Sequence, residues 1–188
     1  MTVRTGPPDC VKIPLTYSMT DRRQQTDCYY FRVLVTNTGN QPAQMVEVFV
    51  AGVHKQDDTG SFQPLNSFLP LNLTWANYGQ PFFPRISRGL PKHCDVAHIV
   101  HPASRRYLAA EDNPGLGVGA NQTLLSLDLI VKPNTLSHLL GPGTYRVDLV
   151  VGAPNAASKT RCLEIVHSGQ WFDDEDRMLR EGVRLRFV

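Results

Sequence analysis

Between residues 29 and 53 the chain alternates apolar and other side chains in two runs separated by a polar turn. In the first run Phe31, Val33 and Val35 alternate with Arg32, Leu34 and Thr36; in the second Val46, Val48 and Val50 alternate with Glu47, Phe49 and Ala51. A period of two with β-branched residues on one face predicts half-buried antiparallel strands. The linker 37–42 reads Asn-Thr-Gly-Asn-Gln-Pro, in which Gly39 suits a positive φ and Pro42 stops ladder pairing ahead of the second strand. It is longer than a two-residue hairpin loop. Direct pairing and a crossing between two sheets are both compatible with it.

The same period recurs along the chain. Strands are predicted over 11–17, with Pro14 requiring an edge or a bulge, and over 70–75, 93–101, 123–131, 144–151, 160–167 and 183–188. In 144–151, Tyr145, Val147, Leu149 and Val151 share one face, with Arg146 and Asp148 on the other; in 160–167, Leu163 and Ile165 point inward. Residues 18–27 read as a polar loop, 62–68 as a short irregular piece, and 76–91 as a long loop pinned by Phe82, Phe83 and Ile86, with room for a short strand. Residues 102–120 read as an extended polar segment, and 134–140 as a helical turn or loop. One short helix is predicted over 173–180, with acids in its first turn and Arg180 in its last. About nine strands without βαβ alternation predict an all-β fold: an antiparallel, immunoglobulin-like β-sandwich with long loops and one short C-terminal helix. Residues 1–188 form one domain in this view, with 1–9 a loose N-terminal tail.

The run FRVLVTNTGNQPAQMVEVFV resembles the opening hairpin of immunoglobulin-like bacterial modules of the CARDB and NEW3 type. More broadly, the chain resembles an uncharacterised family of prokaryotic β-sandwich domains. Its expected elements are Leu73-Thr74-Trp75, Cys94-Asp95, Gly143-Thr144-Tyr145 and Gly169-Gln170-Trp171, in that order. These are structural motifs, so the resemblance implies a fold and carries no activity over.

Composition narrows the function classes. The net charge is +2, and the 19 Lys and Arg residues are scattered, with Arg22-Arg23 and Arg105-Arg106 as pairs rather than patches. No nucleic-acid partner is expected. No apolar run approaches the length of a membrane span, and the first eight residues lack the apolar core of a signal peptide. The expectation is a soluble cytoplasmic chain with no membrane insertion. Four cysteines without a Cys-x-x-Cys pair are then expected as reduced thiols.

The densest set of candidate ligands is His93, Cys94, Asp95, His98 and His101. Strict alternation places His93, Asp95 and His101 on one face of a strand and Cys94 with His98 on the other. A zinc site would need a further ligand such as Cys28, Cys162 or His167 from another strand. Cys94 with His98 is also the only candidate nucleophile pair, without any accompanying nucleophile signature. The glycines of 115–119 lack the spacing and the Lys-Ser/Thr ending of a phosphate loop. Asp173 to Asp176 read as acids opening a helix, with Trp171 packing that helix onto one end of the sandwich. No catalytic, cofactor-binding or metal residue is assigned, and no cofactor is expected. The leading expectation is a non-enzymatic module that binds a protein partner or a neighbouring domain. Its rivals are a metal-binding protein or metal-dependent hydrolase using the 93–101 strand, and a carbohydrate-binding module using Trp75, Tyr78, Phe82 and Phe83.

Overall fold

The two alternating runs become long strands of different sheets. The computed structural model describes residues 1–6, 9–19, 22–105 and 118–188. In chain order its first strands are β1 (Thr2–Arg4), β2 (Cys10–Met19), β3 (Arg22–Thr36), β4 (Ala43–Gln56), β5 (Phe62–Pro64), β6 (Leu71–Asn72), β7 (Phe82–Ile86) and β8 (Lys92–Val100). A single turn, α1 (Pro102–Arg105), follows; then come β9 (Leu125–Leu127), β10 (Leu139–Leu140), β11 (Gly143–Ala153) and β12 (Ala156–His167). The chain ends with α2 (Glu175–Arg177), a π-turn at Met178–Gly182, and β13 (Val183–Phe187). Among the described residues the first sheet runs β1-β3-β8-β9-β10, with β2 also on β3; the second runs β13-β12-β11-β4-β5, with β6 and β7 also on β4. The strand pairs are antiparallel, and the two sheets pack into an all-β sandwich.

The crossing from β3 to β4 depends on Asn37 rather than on Gly39. Asn37 is buried; its Nδ2 donates to the Gln41 carbonyl at 2.7 Å and the Ile86 carbonyl at 3.0 Å, and its Oδ1 accepts the Gly39 N–H at 2.9 Å. Gly39 does not use the left-handed φ that is open to a glycine. With three bonds the amide side chain already closes the turn, so no unusual backbone is needed.

The predicted inward faces are the core. Tyr29, Phe31, Val33 and Val35 from β3 meet Val46, Val48 and Val50 from β4, Tyr145, Val147, Leu149 and Val151 from β11, and Leu163 and Ile165 from β12, all buried. Each such aliphatic or aromatic side chain contributes about 1.5–3 kcal/mol on burial. In β4, Asp148 pairs with Gly52 and Leu149 with Val50, leaving Ala51 as an extra residue. This bulge resets the alternation so that Val50 and Val53 both face inward. The 70–75 segment ties the sheets together: Leu71 and Asn72 pair with β4, while Leu73 bridges Leu129 and Trp75 bridges Cys94.

Three expectations are corrected. The first nine residues are not all a loose tail: Thr2–Arg4 pairs with Thr36, Val35 and Leu34, and Val3 is buried. Most of the predicted polar loop at 18–27 is strand, because β2 and β3 remain paired from Cys10↔Phe31 to Met19↔Arg22. The β3–β8 pairing stops at Cys28↔Val100, so beyond it β2 and β3 continue as a two-stranded ribbon. Such a ribbon is held by backbone hydrogen bonds and needs no apolar face, which is why its sequence reads as a loop. Pro14 lies on β2, an edge strand, as expected. The predicted 123–131 strand contracts to β9, and residues 106–117 of the predicted extended segment lie outside the described residues.

The C-terminal segment leaves the second sheet and docks on the first. The Trp171 ring lies 4.8 Å from the Tyr29 ring and 4.8 Å from the His101 ring, and its Nε1 donates to Asp173 Oδ1 at 2.9 Å. The Tyr29 hydroxyl donates to the Asp173 carbonyl at 2.8 Å, and the Lys12 N–H donates to Glu175 Oε1 at 2.8 Å. Asp174 caps the helix by accepting the Arg177 N–H at 2.8 Å. Met178 is fully buried beneath this turn, whereas Trp171 is half-buried.

The four thiols are free, with Cys10, Cys28 and Cys94 buried and Cys162 partly exposed. Burial pushes the Cys10 thiol up to about 12 and holds Cys94 well above the ordinary thiol range. A thiol titration of unreduced protein is therefore expected to label Cys162 first in the native state and all four cysteines on denaturation. Two silent thiols in the denatured, unreduced chain would contradict this arrangement.

Candidate functional site

The ligand-rich strand does not gather a site. On β8, Phe31 pairs with Ala97 while Arg32 pairs with Asp95, so Val96 is a bulge. Strict alternation placed Cys94 with His98. The bulge instead turns Asp95 and His98 to the same outer face and leaves Cys94 in the core. The Cys94 thiol donates to the Thr74 carbonyl at 3.3 Å and is fully buried, which removes it as a nucleophile partner for His98. On the outer face Arg32 Nε donates to Asp95 Oδ1 at 3.0 Å, and His98 Nδ1 lies 2.7 Å from Asp128 Oδ1. Burial, and then the Asp128 charge, push Asp95 up to about 6, against the pull of Arg32.

Of the other candidates, His93 and Cys28 flank this face at its two ends, and the rest lie apart from it. His93 pairs across from Leu34 on β3, and burial lowers its pKa. His101 packs on Trp171. His167 is buried in the second sheet. Its Nδ1 lies 3.1 Å from the Gly141 carbonyl, which can only accept, so Nδ1 carries the proton and Nε2 accepts from the Thr123 hydroxyl at 2.8 Å. Cys28 and Cys162 belong to different sheets. Among the described residues no three His, Cys, Asp or Glu side chains are grouped to hold a metal ion. Asp173, Asp174 and Glu175 take separate structural roles: Asp173 with Trp171 and Lys12, Asp174 as helix cap, and Glu175 on the Lys12 N–H. The hydrogen bond from the Trp171 indole holds the Asp173 carboxyl below its usual range.

The aromatic candidates form a graded stack. Trp75 is buried at 1% exposure, Phe83 packs on it at 5.3 Å, and Tyr78, 44% exposed, tilts over Phe83 at 5.5 Å. A cleft of about 420 Å³ opens beside Tyr78 and Phe83, flanked by Lys92 and His93.

A larger concavity of about 670 Å³ lies on the outer face of the second sheet, where the sequence suggested no site. Its floor is one register row across three strands: Arg146 on β11 pairs with Glu164 on β12, which pairs with Arg186 on β13. Glu164 is 5% exposed and serves both arginines. Arg146 Nε and Nη2 each donate to Glu164 Oε2 at 3.4 Å, while Arg186 Nε donates to Oε1 at 2.7 Å and its Nη2 also pairs with Oε1. The Arg146 guanidinium lies 3.9 Å from the centre of the Phe62 ring, which rises from β5 as the groove wall. The next row places Thr144 and Val166 beside Arg184, which makes no ion pair among the described residues. Three arginines thus face solvent around a single buried carboxylate. Arg146 and Arg186 are fixed by Glu164 and, for Arg146, by Phe62, and their side chains stay 40% and 63% exposed.

The sequence signal for this groove was the outward position of Arg146 and the alternation in Arg184-Leu185-Arg186. What assembles it is the register between β11, β12 and β13, which follows from long-range pairing. Comparison of the chain with protein-family models, with curated proteins and with solved structures gives no match.

Proposed function

We propose that this chain is a non-enzymatic β-sandwich interaction module that binds a protein partner or a neighbouring domain through the outer face of its second sheet. The observation that carries this reading is the uncovered arginine groove, with Arg146, Arg184, Arg186 and Phe62 on a rigid sheet. Arg and aromatic side chains supply most of the binding energy at protein interfaces, and prior fixing of long side chains lowers the entropy lost on docking. The groups with the most shifted ionisation, Cys94 among them, face packing rather than this groove. The prokaryotic immunoglobulin-like resemblance fits a module of this kind. It is supported by Tyr145, buried near the start of β11, whose hydroxyl donates to the Gly141 carbonyl at 3.0 Å in the manner of a tyrosine corner.

The test is site-specific. A photo-crosslinking amino acid at exposed Ser61, on the groove rim, is expected to trap a discrete protein in the native host. Trapping should be lost when Arg184, which pairs with no buried carboxylate among the described residues, is changed to Glu, and absent when the probe sits at exposed Leu90. Equal trapping from Leu90, or trapping indifferent to the charge reversal, would contradict the proposal. A second reading, carbohydrate binding, draws on exposed Tyr78 stacked over Phe83 beside Lys92. Glycan-array binding lost on Tyr78→Ala would favour it.

A further inference from the structure

The groove opens onto a sheet edge. β13 pairs with β12 on one side and, among the described residues, with no strand on the other. The Val188 N–H donates to the Cys162 carbonyl and the Ser168 N–H donates to the Gly182 carbonyl, so the even-numbered residues of this strand direct their peptide groups toward β12. The alternation of an antiparallel ladder then turns the peptide groups of Val183, Leu185 and Phe187 to the open edge. The Val183 N–H is taken by the Met178 carbonyl. What remains for a partner is the Val183 carbonyl and both groups of Leu185 and Phe187. The side chains of Leu185 and Phe187 are half-buried toward the core, and those of Arg184 and Arg186 stand exposed on the groove face.

We infer that the partner contributes an extended acidic segment that adds an antiparallel strand to β13, with carboxylates at alternate positions opposite Arg184 and Arg186. This inference rests on the groove reading above. Two properties of the edge select such a segment. Successive same-face positions on any strand lie about 6.8 Å apart, so acids at every second residue meet the two arginines in register. Residues directly opposite on neighbouring strands bring their Cβ atoms to about 4.5–5.5 Å, so charge decides the pairing. A second copy of this chain pairing antiparallel about Leu185 would set Arg184 against Arg186, like charge on like. The main chain then supplies the adhesion and the arginines supply the selection. Charged residues on an edge strand discourage indiscriminate pairing, and here they leave one sign of partner favoured.

The probe is a fluorescein-labelled peptide of strand length that alternates Glu with Val, followed by anisotropy on the full chain. It is expected to bind, and more weakly at high salt. A peptide N-methylated on the face that meets β13 is expected not to bind, and neither is the Lys/Val counterpart. Arg184→Gln, which breaks no ion pair among the described residues, should weaken binding roughly two- to fivefold at an unchanged thermal midpoint. Binding of the N-methylated peptide would refute strand addition while leaving the groove as a side-chain site. Equal binding of the Lys/Val peptide would refute the charge selection. No peptide binding, with Ser61 still cross-linking a partner, would refute this inference and spare the functional reading; loss of the Ser61 cross-link as well would end both. A sedimentation mass showing a dimer that Leu185→Pro dissolves would assign the edge to a second copy instead.

Discussion

Truncating Met178 to alanine is expected to cost about 2–5 kcal/mol, a large part of a typical domain's roughly 5–15 kcal/mol. Met178 has no exposed surface, and it joins the core under a turn that carries the chain from one sheet to the other. Gly182 packs so closely that a Cβ there would sit 2.6 Å from the Met178 sulfur, so the side chain occupies a fitted space. From the sequence, Trp171 is the expected anchor of this segment, and the structure moves the larger share to Met178. The indole of Trp171 is half-buried and works as a rim contact on Tyr29 and His101. Trp171→Ala is accordingly expected to cost less, about 1–3 kcal/mol. Asp174→Asn should change stability by only a few tenths of a kcal/mol, because Asn caps a helix nearly as well as Asp. Urea denaturation of the three variants checks the order Met178, Trp171, Asp174; a Trp171 cost above that of Met178 would reverse this assignment.

The second large effect is expected at Gly169. Its φ is +80°, and a Cβ there would lie 2.5 Å from Pro142 Cγ and 3.2 Å from Pro142 Cβ. A proline ring has little room to yield. The left-handed backbone costs a non-glycine residue about 1–2 kcal/mol, and forcing extra volume into packed surroundings typically costs about 1–3 kcal/mol more. The Gly169 carbonyl also accepts the Thr123 N–H at 2.8 Å, so movement of the turn would disturb the entry to β9. Gly79 provides the control, since its φ is +64° and nothing lies within 4 Å of a Cβ added there. Gly79→Ala should show the backbone cost alone, and Gly169→Ala the sum of both. Equal shifts in the urea midpoint for the two variants would mean that the Pro142 contact is relieved without cost.

The sequence was most informative where one face of a strand is buried. Phe31, Val33 and Val35, then Val46, Val48 and Val50, then Tyr145 to Val151 alternate because the pleat alternates, and all of those apolar positions are core. Polar pairing left no such trace. The ribbon of β2 with the start of β3 is backbone ladder, and β1 is three residues long with Val3 as its one buried position. Bulges misled in a different way. One extra residue at Val96 reverses the face of everything before it, which is why Cys94 and His98 looked like a pair and are not. The arginine groove was hidden because no local pattern states that Arg146, Glu164 and Arg186 share a row. Likewise the Asn37 turn shows as Asn-x-Gly, with nothing local to say that the Asn side chain, rather than the glycine, closes it.

The most direct measurement of the central claim is amide hydrogen exchange on the chain alone and in complex with the protein trapped at Ser61. Added protection is expected at Leu185 and Phe187, whose N–H groups face the open edge, and around Phe62, with little change at Tyr78 to Phe83. Protection concentrated instead on the Tyr78 cleft or on the free edge of β2, with Leu185 and Phe187 exchanging as before, would contradict it.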